Sequence, residues 1–125
     1  RLALKQLRTL GVHVTLVVKE DPILTDVTMK DIEGLGIEGL VDRVVEAPGF
    51  AVGIDLVSME GEFGRLLRGH DLVIAKGMAN FESLSETDLA PIAFLLRTKC
   101  APVADNIGLK KDINAVKLFQ RGCGR

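Results

Sequence analysis

Three short segments of this chain carry residues able to handle a phosphate or a cation. Asp26 stands in Ile23-Leu24-Thr25-Asp26-Val27-Thr28, between an apolar piece and a helix start. Lys76-Gly77-Met78-Ala79-Asn80 directly follows the apolar run Asp71-Leu72-Val73-Ile74-Ala75. Lys99-Cys100 follows a second such run, Ile92-Ala93-Phe94-Leu95-Leu96. An oxygen ligand at Asp26 suits Mg²⁺ or Mn²⁺, which prefer carboxylates and water. Lys76 offers a point charge for phosphate, Gly77 lets a ligand approach the backbone, and Asn80 can hydrogen-bond an oxygen or cap a helix. Lys99 would be a second cation. Each segment also has a plain alternative: Asp26 as a cap of the Thr28 helix, residues 76–80 as an ordinary turn, and Lys99 as a solvated side chain.

Other motifs carry less. Gly34-Leu35-Gly36-Ile37-Glu38-Gly39 spells the dinucleotide pattern G-x-G-x-x-G. That motif works after a strand and before a helix, where the helix N-terminus meets pyrophosphate. Here the glycines follow an expected helix and precede an expected strand, so they read as a helix stop. No P-loop, Ser/His/Asp order, paired-cysteine site or H-E-x-x-H pattern can be assembled. His13 and His70 have no evident partner and receive no catalytic role. Cys100 reads as a small buried residue rather than a nucleophile. With Cys123 it makes two cysteines, too few for a disulfide framework, so both are expected as free thiols in a cytoplasmic protein.

The elements that must position these segments follow from periodicity. Leu2, Leu4, Leu7 and Leu10 keep a helical period that Gly11 stops. Residues 13–18 read as a buried strand, Pro22 breaks it, and 23–26 read as a short extended piece. Thr28 with Asp31 three residues on forms a capping-box pattern for a helix ending near Gly34 or Gly36. Strands are expected over 41–46, 71–75 and 92–96, and helices over 56–67 and 112–119, with 122–125 frayed. Helices alternating with short apolar strands mean βαβ units and a mostly parallel sheet.

Composition sets the outer bounds. With 47% hydrophobic and 26% charged residues, the chain is globular rather than disordered. Sixteen basic and seventeen acidic residues leave a formal charge of -1, which gives no electrostatic reason to expect nucleic acid or a membrane surface. The apolar runs are too short to span a bilayer. At 125 residues the chain reads as a single α/β domain over 1–125. Because it opens with Arg1 inside a helical pattern, it is expected to be the C-terminal portion of a longer domain.

The three segments together resemble the metal-dependent damage-control phosphatases, long known as domain of unknown function 89. The likeness runs through Pro22 to Thr28, through Lys76-Gly77-Met78-Ala79-Asn80-Phe81-Glu82, and through the stretch from Pro91 to Cys100. It implies a three-layer α/β/α fold with a mostly parallel, Rossmann-like sheet. It also implies hydrolysis of phosphate monoesters of small metabolites with a divalent metal (Mn, Mg, Co or Ni). On that likeness Asp26 is a metal ligand, while Lys76 with Gly77 and Asn80 holds the substrate phosphate. Glu82 stands close by, and Lys99 on the same rim. The family shows Asn-Asp where this chain has Thr25-Asp26, and it carries a further Asp-Asn metal-binding pair that this sequence lacks. The 125 residues alone are therefore expected to be inactive. The rival readings are a carboxyl methyltransferase using S-adenosylmethionine and a non-catalytic module that binds a phosphorylated ligand.

Overall fold

A computed structural model describes residues 1–24 and 26–120; Thr25, Cys123 and the end expected to fray, 122–125, lie outside the described residues. The chain divides into two compact units, Arg1–Phe50 and Ala51–Arg125.

The first unit is one βαβ crossover preceded by a helix. Helix α1 (Leu2–Thr9) uses its leucine stripe sparingly, with Leu4 partly buried against the core. Gly11 follows at φ 67°, a left-handed conformation suited to glycine. Strand β1 (Thr15–Lys19) pairs in parallel with β2 (Arg43–Ala47), from Thr15 opposite Arg43 to Lys19 opposite Ala47. Helix α2 (Met29–Leu35) forms the crossover. Its start is closed by the expected capping box: the Thr28 N–H and hydroxyl both donate to Asp31 Oδ2, at 2.8 and 2.9 Å. These donors hold the Asp31 carboxyl below its ordinary value, the backbone N–H contributing most. Gly36 ends the helix at φ 58°, and β2 follows, so the G-x-G-x-x-G glycines are the helix stop the sequence order implies. Val18, Ile32 and Ile37 form the core, with Leu16, Met29, Val41 and Val44 packed around them.

At the start of β1, Asp42 Oδ2 accepts from Val14 N at 2.8 Å and Oδ1 accepts from Arg8 Nη1 at 3.0 Å. The pairing lowers the Asp42 carboxyl, chiefly through the Val14 N–H and then through Arg8. It ties α1 and the leads into both strands together.

The second unit contains another parallel crossover and an antiparallel return. Strand β3 (Val73–Lys76) pairs in parallel with β4 (Ile92–Arg97) across α4 (Met78–Leu84). Helix α5 (Ala101–Asn106) then leads to β5 (Asn114–Phe119), antiparallel to β4 from Ile92 opposite Phe119 to Arg97 opposite Asn114. Phe94, fully buried, meets Phe81 of α4 at 5.0 Å and Phe119 of β5 at 5.4 Å, both edge to face. This aromatic trio fixes α4 against the sheet. The α/β class and parallel pairing follow the sequence expectation.

Three elements differ from expectation. Ile23 and Asp26 close a turn where an extended piece is expected: Asp26 N donates to the Ile23 carbonyl at 3.0 Å, and Leu24 has φ 52°. The helix expected over 56–67 is split into a 3₁₀ segment (Leu56–Glu60) and α3 (Glu62–Arg68). Asp55 caps the first by accepting from Val57 N, and the chain bends extended at Gly61 so that the Met59 carbonyl lies directly on Gly64. Of the residues expected as helix over 112–119, Asn114–Phe119 are strand, with burial alternating at period two, and Asp112 lies in the turn before it. Two smaller readings also change. Cys100 is half-buried rather than buried, and His70 has a partner, its Nδ1 donating to the Leu66 carbonyl at 2.8 Å. No helix among the described residues is long and apolar enough to cross a membrane.

Candidate functional site

Ligands in α/β proteins gather at the carboxyl ends of parallel strands, and two of the segments singled out above end β3 and β4. Lys76 is the last residue of β3, opposite Leu95 of β4, and the ladder continues one step further as Gly77 N donates to the Leu95 carbonyl at 2.9 Å. Gly77 then turns the chain into α4 at φ 103°, ψ 156°, a conformation essentially confined to glycine. At the end of β4 come Arg97, Thr98, Lys99 and Cys100. Cys100 Sγ lies 3.8 Å from Met78 Sδ. The turn after β3 and the turn after β4 therefore touch, which puts Lys76 and Lys99 on one rim.

Thr98 supports this rim from below. It is wholly buried; its hydroxyl donates to the Lys110 carbonyl at 2.7 Å and accepts from Ile113 N at 3.1 Å. The end of β4 is thereby stapled to the turn that leads into β5.

Side-chain direction follows from register. Ala75 and Phe94 are partners on the face covered by α4, so Lys76 and its partner Leu95 point to the other face. Arg97, two residues past Leu95, shares that face with Lys76. The sequence reading passed over Arg97, although alternation along β4 was enough to find it once Phe94 is taken as buried. Lys76, Arg97 and Lys99 are exposed and form no ion pair among the described residues. The rim is an open cluster of cations. Asn80 lies on the first turn of α4 with its Nδ2 donating to the Lys76 carbonyl at 2.8 Å. Glu82 is exposed two residues on, about 200° around the helix from Asn80, and is not brought to the same side.

Asp26 belongs to the first unit. Residues 27 and 28 run beside the end of β1: Lys19 N donates to the Val27 carbonyl at 2.8 Å, and Lys19 bridges Thr28 in parallel. Asp26 thus stands near the carboxyl end of β1. Its side chain is exposed and takes no part in capping α2, since Thr28 and Asp31 do that between themselves. The plain alternative for Asp26 is removed. A cleft of about 260 Å³ lined by Arg8, Gly11, Val12, His13 and Asp42 lies at the other end of β1, away from the carboxyl edge.

A divalent cation needs several ligands, Mg²⁺ being close to octahedral, with one or two carboxylates joined by waters or phosphate oxygens. Among the described residues no group of three His, Cys, Asp or Glu side chains is gathered that could hold a metal. Asp26 can supply one oxygen ligand. The donor set present here does not amount to a metal site.

The sequence pattern of the damage-control phosphatase ARMT1-like domain matches residues 1–114. A damage-control phosphatase from Archaeoglobus fulgidus is 38% identical over 108 residues, which cover 86% of this chain and 38% of that protein. Damage-control phosphatase PH1575 from Pyrococcus horikoshii is 37% identical over 99 residues, covering 79% of this chain and 34% of its own length. The crystal structure of the Pyrococcus horikoshii protein, described as a DUF89 family member, superposes with a TM-score of 0.79 at 34% identity. That match covers 89% of this chain and 39% of the other. The chain spans less than two fifths of the length of these relatives.

Proposed function

This chain belongs to the damage-control phosphatase ARMT1-like family, and on that premise we propose that the protein carrying it hydrolyses phosphate monoesters of small metabolites. The observation that supports this most is the cationic rim at the ends of β3 and β4, where the 3.8 Å contact between Met78 and Cys100 joins the turns bearing Lys76 and Lys99. A phosphate monoester is dianionic near neutral pH. Hydrolysis breaks the ester P–O bond, adds water to phosphorus, and spreads charge over the phosphoryl oxygens. In this proposal Lys76 neutralises that charge, Lys99 and Arg97 hold the same anion, and Gly77 leaves the backbone side of the turn open. Gly77 suits that task because nothing lies within 4 Å of where a side chain would start.

Metal dependence is part of the same proposal and rests on the family likeness. Asp26 is assigned as one oxygen ligand of a divalent cation, which when bound supplies Lewis-acid chemistry. One carboxylate is not a complete site. The ligands that complete it would lie outside the described residues.

The test is release of inorganic phosphate from a panel of phosphorylated sugars, sugar acids and cofactors by the full-length protein, with Mn²⁺, Co²⁺, Ni²⁺ or Mg²⁺ added and then chelated. Turnover of at least one phosphomonoester that chelation abolishes is expected. A protein that binds phosphate yet turns over nothing on the panel, or one stabilised against heat by S-adenosylmethionine and by no metal, would refute the proposal.

A further inference from the structure

We infer that Asn80 is a positioning residue that pins the Lys76–Gly77 peptide, acting on the phosphate through Lys76 instead of contacting it as a primary ligand; the inference rests on the phosphatase reading above. In a strand, a residue's N–H and C=O point to the same side. Gly77 N faces β4, where it donates to the Leu95 carbonyl at 2.9 Å. The carbonyl of Lys76 belongs to the same peptide unit and so points the opposite way, beyond the edge of the β3–β4–β5 sheet. It also lies one residue too early for the helix ladder, which begins with Phe81 N donating to the Gly77 carbonyl at 3.3 Å. The Asn80 amide supplies what the backbone does not, donating from Nδ2 to the Lys76 oxygen at 2.8 Å. A carbonyl acceptor at that distance also fixes which end of the Asn80 amide is the NH₂ group.

The peptide between Lys76 and Gly77 is thus held from both sides, by β4 through its N–H and by Asn80 through its C=O. This matters because Gly77 sits at φ 103°, one of many conformations open to glycine, so its backbone stays there only as far as its partners hold it. Packing does not supply the restraint, since nothing lies within 4 Å of a Cβ built there. The hydrogen bonds supply it, and among the described residues Asn80 is the side chain that holds this peptide. Releasing that peptide would loosen the backbone at the end of β3, and with it the placement of the Lys76 side chain that the strand carries.

A double-mutant cycle on the full-length enzyme separates positioning from direct contact. Lys76→Ala is expected to lower kcat/KM about 100- to 1000-fold, the usual loss for a charge-stabilising donor. Asn80→Ala should lower it roughly 3- to 10-fold, the worth of one neutral hydrogen bond. In the Lys76→Ala background, Asn80→Ala should change it less than about 2-fold, because no ammonium remains to be placed. Effects that multiply would mean that Asn80 acts on the substrate independently, and would overturn the inference. A second readout needs no activity: Asn80→Ala should speed hydrogen exchange at the Gly77 amide while leaving the Phe94 amide unchanged. Unchanged exchange at Gly77 would equally overturn it. An inactive wild type whose Gly77 amide still responds to Asn80→Ala would sink the phosphatase reading and leave the clamp standing.

Discussion

Replacing Gly77 with alanine isolates backbone strain from steric clash at the proposed site. The native residue has φ 103° and ψ 156°, a region where an L-residue costs about 1–3 kcal/mol. Space is not the obstacle, because no heavy atom lies within 4 Å of the added Cβ. The whole penalty is therefore conformational. For a domain of this size, ~1 kcal/mol moves Tm by roughly 3–6 °C, so a cost of about 1–3 kcal/mol at Gly77→Ala should lower Tm by about 3–18 °C. Urea unfolding at an unchanged m-value would measure it. A semisynthetic D-alanine, for which positive φ is natural, should recover the wild-type midpoint. The same substitution displaces the Lys76–Gly77 peptide, so kcat/KM should fall with stability. An L-alanine variant within about 0.5 kcal/mol of wild type, or a D-alanine variant no better than the L form, would refute the assignment of the cost to φ.

Other substitutions probe neighbouring features. Gly64→Ala must push the Met59 carbonyl aside, since the new Cβ would overlap that oxygen; unfolding in urea should begin at markedly lower concentration than for Gly77→Ala. Gly34→Ala lies in α2 with open space around it, and should stabilise the protein by about 0.5–1 kcal/mol, an outcome incompatible with a dinucleotide-binding loop there. Asp31 and Asp42 both titrate below their ordinary value of 3.8 in the fold. Their contribution is whole above that value and is lost as pH falls through the lowered folded pKa, so Asp31→Asn should flatten the acid limb of the stability curve. Asp26→Ala should leave thermal stability unchanged while removing activity, because its carboxylate caps nothing.

Much of the architecture was legible because the signals were local. The Thr28–Asp31 capping box, the left-handed stop at Gly36 and the apolar runs of β3 and β4 each depend on a few adjacent residues. Where several glycines or a mixed periodicity let two readings compete, tertiary contact decided. The 56–67 segment has helical spacing, yet Gly61 and Gly64 let the backbone fold onto itself at Met59, which no linear pattern announces. Residues 114–119 become strand because Phe119 completes the cluster around Phe94, a partner that lies far away in sequence.

The candidate site divides the same way. Lys76 and Lys99 were readable as strand-end cations, since each follows an apolar run. Their shared rim depends on the contact of Met78 with Cys100, which lie before and after β4, and the face that Arg97 shares with Lys76 depends on register. Neither is visible before the strands are paired. The tie from Asn80 to the Lys76 carbonyl shows the same limit: an Asn four residues past a Lys reads equally as ligand, cap or clamp until its partner is seen.

The most direct measurement is steady-state phosphate release by the full-length protein and its Lys76→Ala variant, assayed on whichever phosphomonoester the wild type turns over best. The account predicts a fall in kcat/KM of about 100- to 1000-fold with Tm unchanged, because Lys76 is exposed and forms no ion pair among the described residues. Activity within a few-fold of wild type would contradict the claim that this rim is where the phosphate is held.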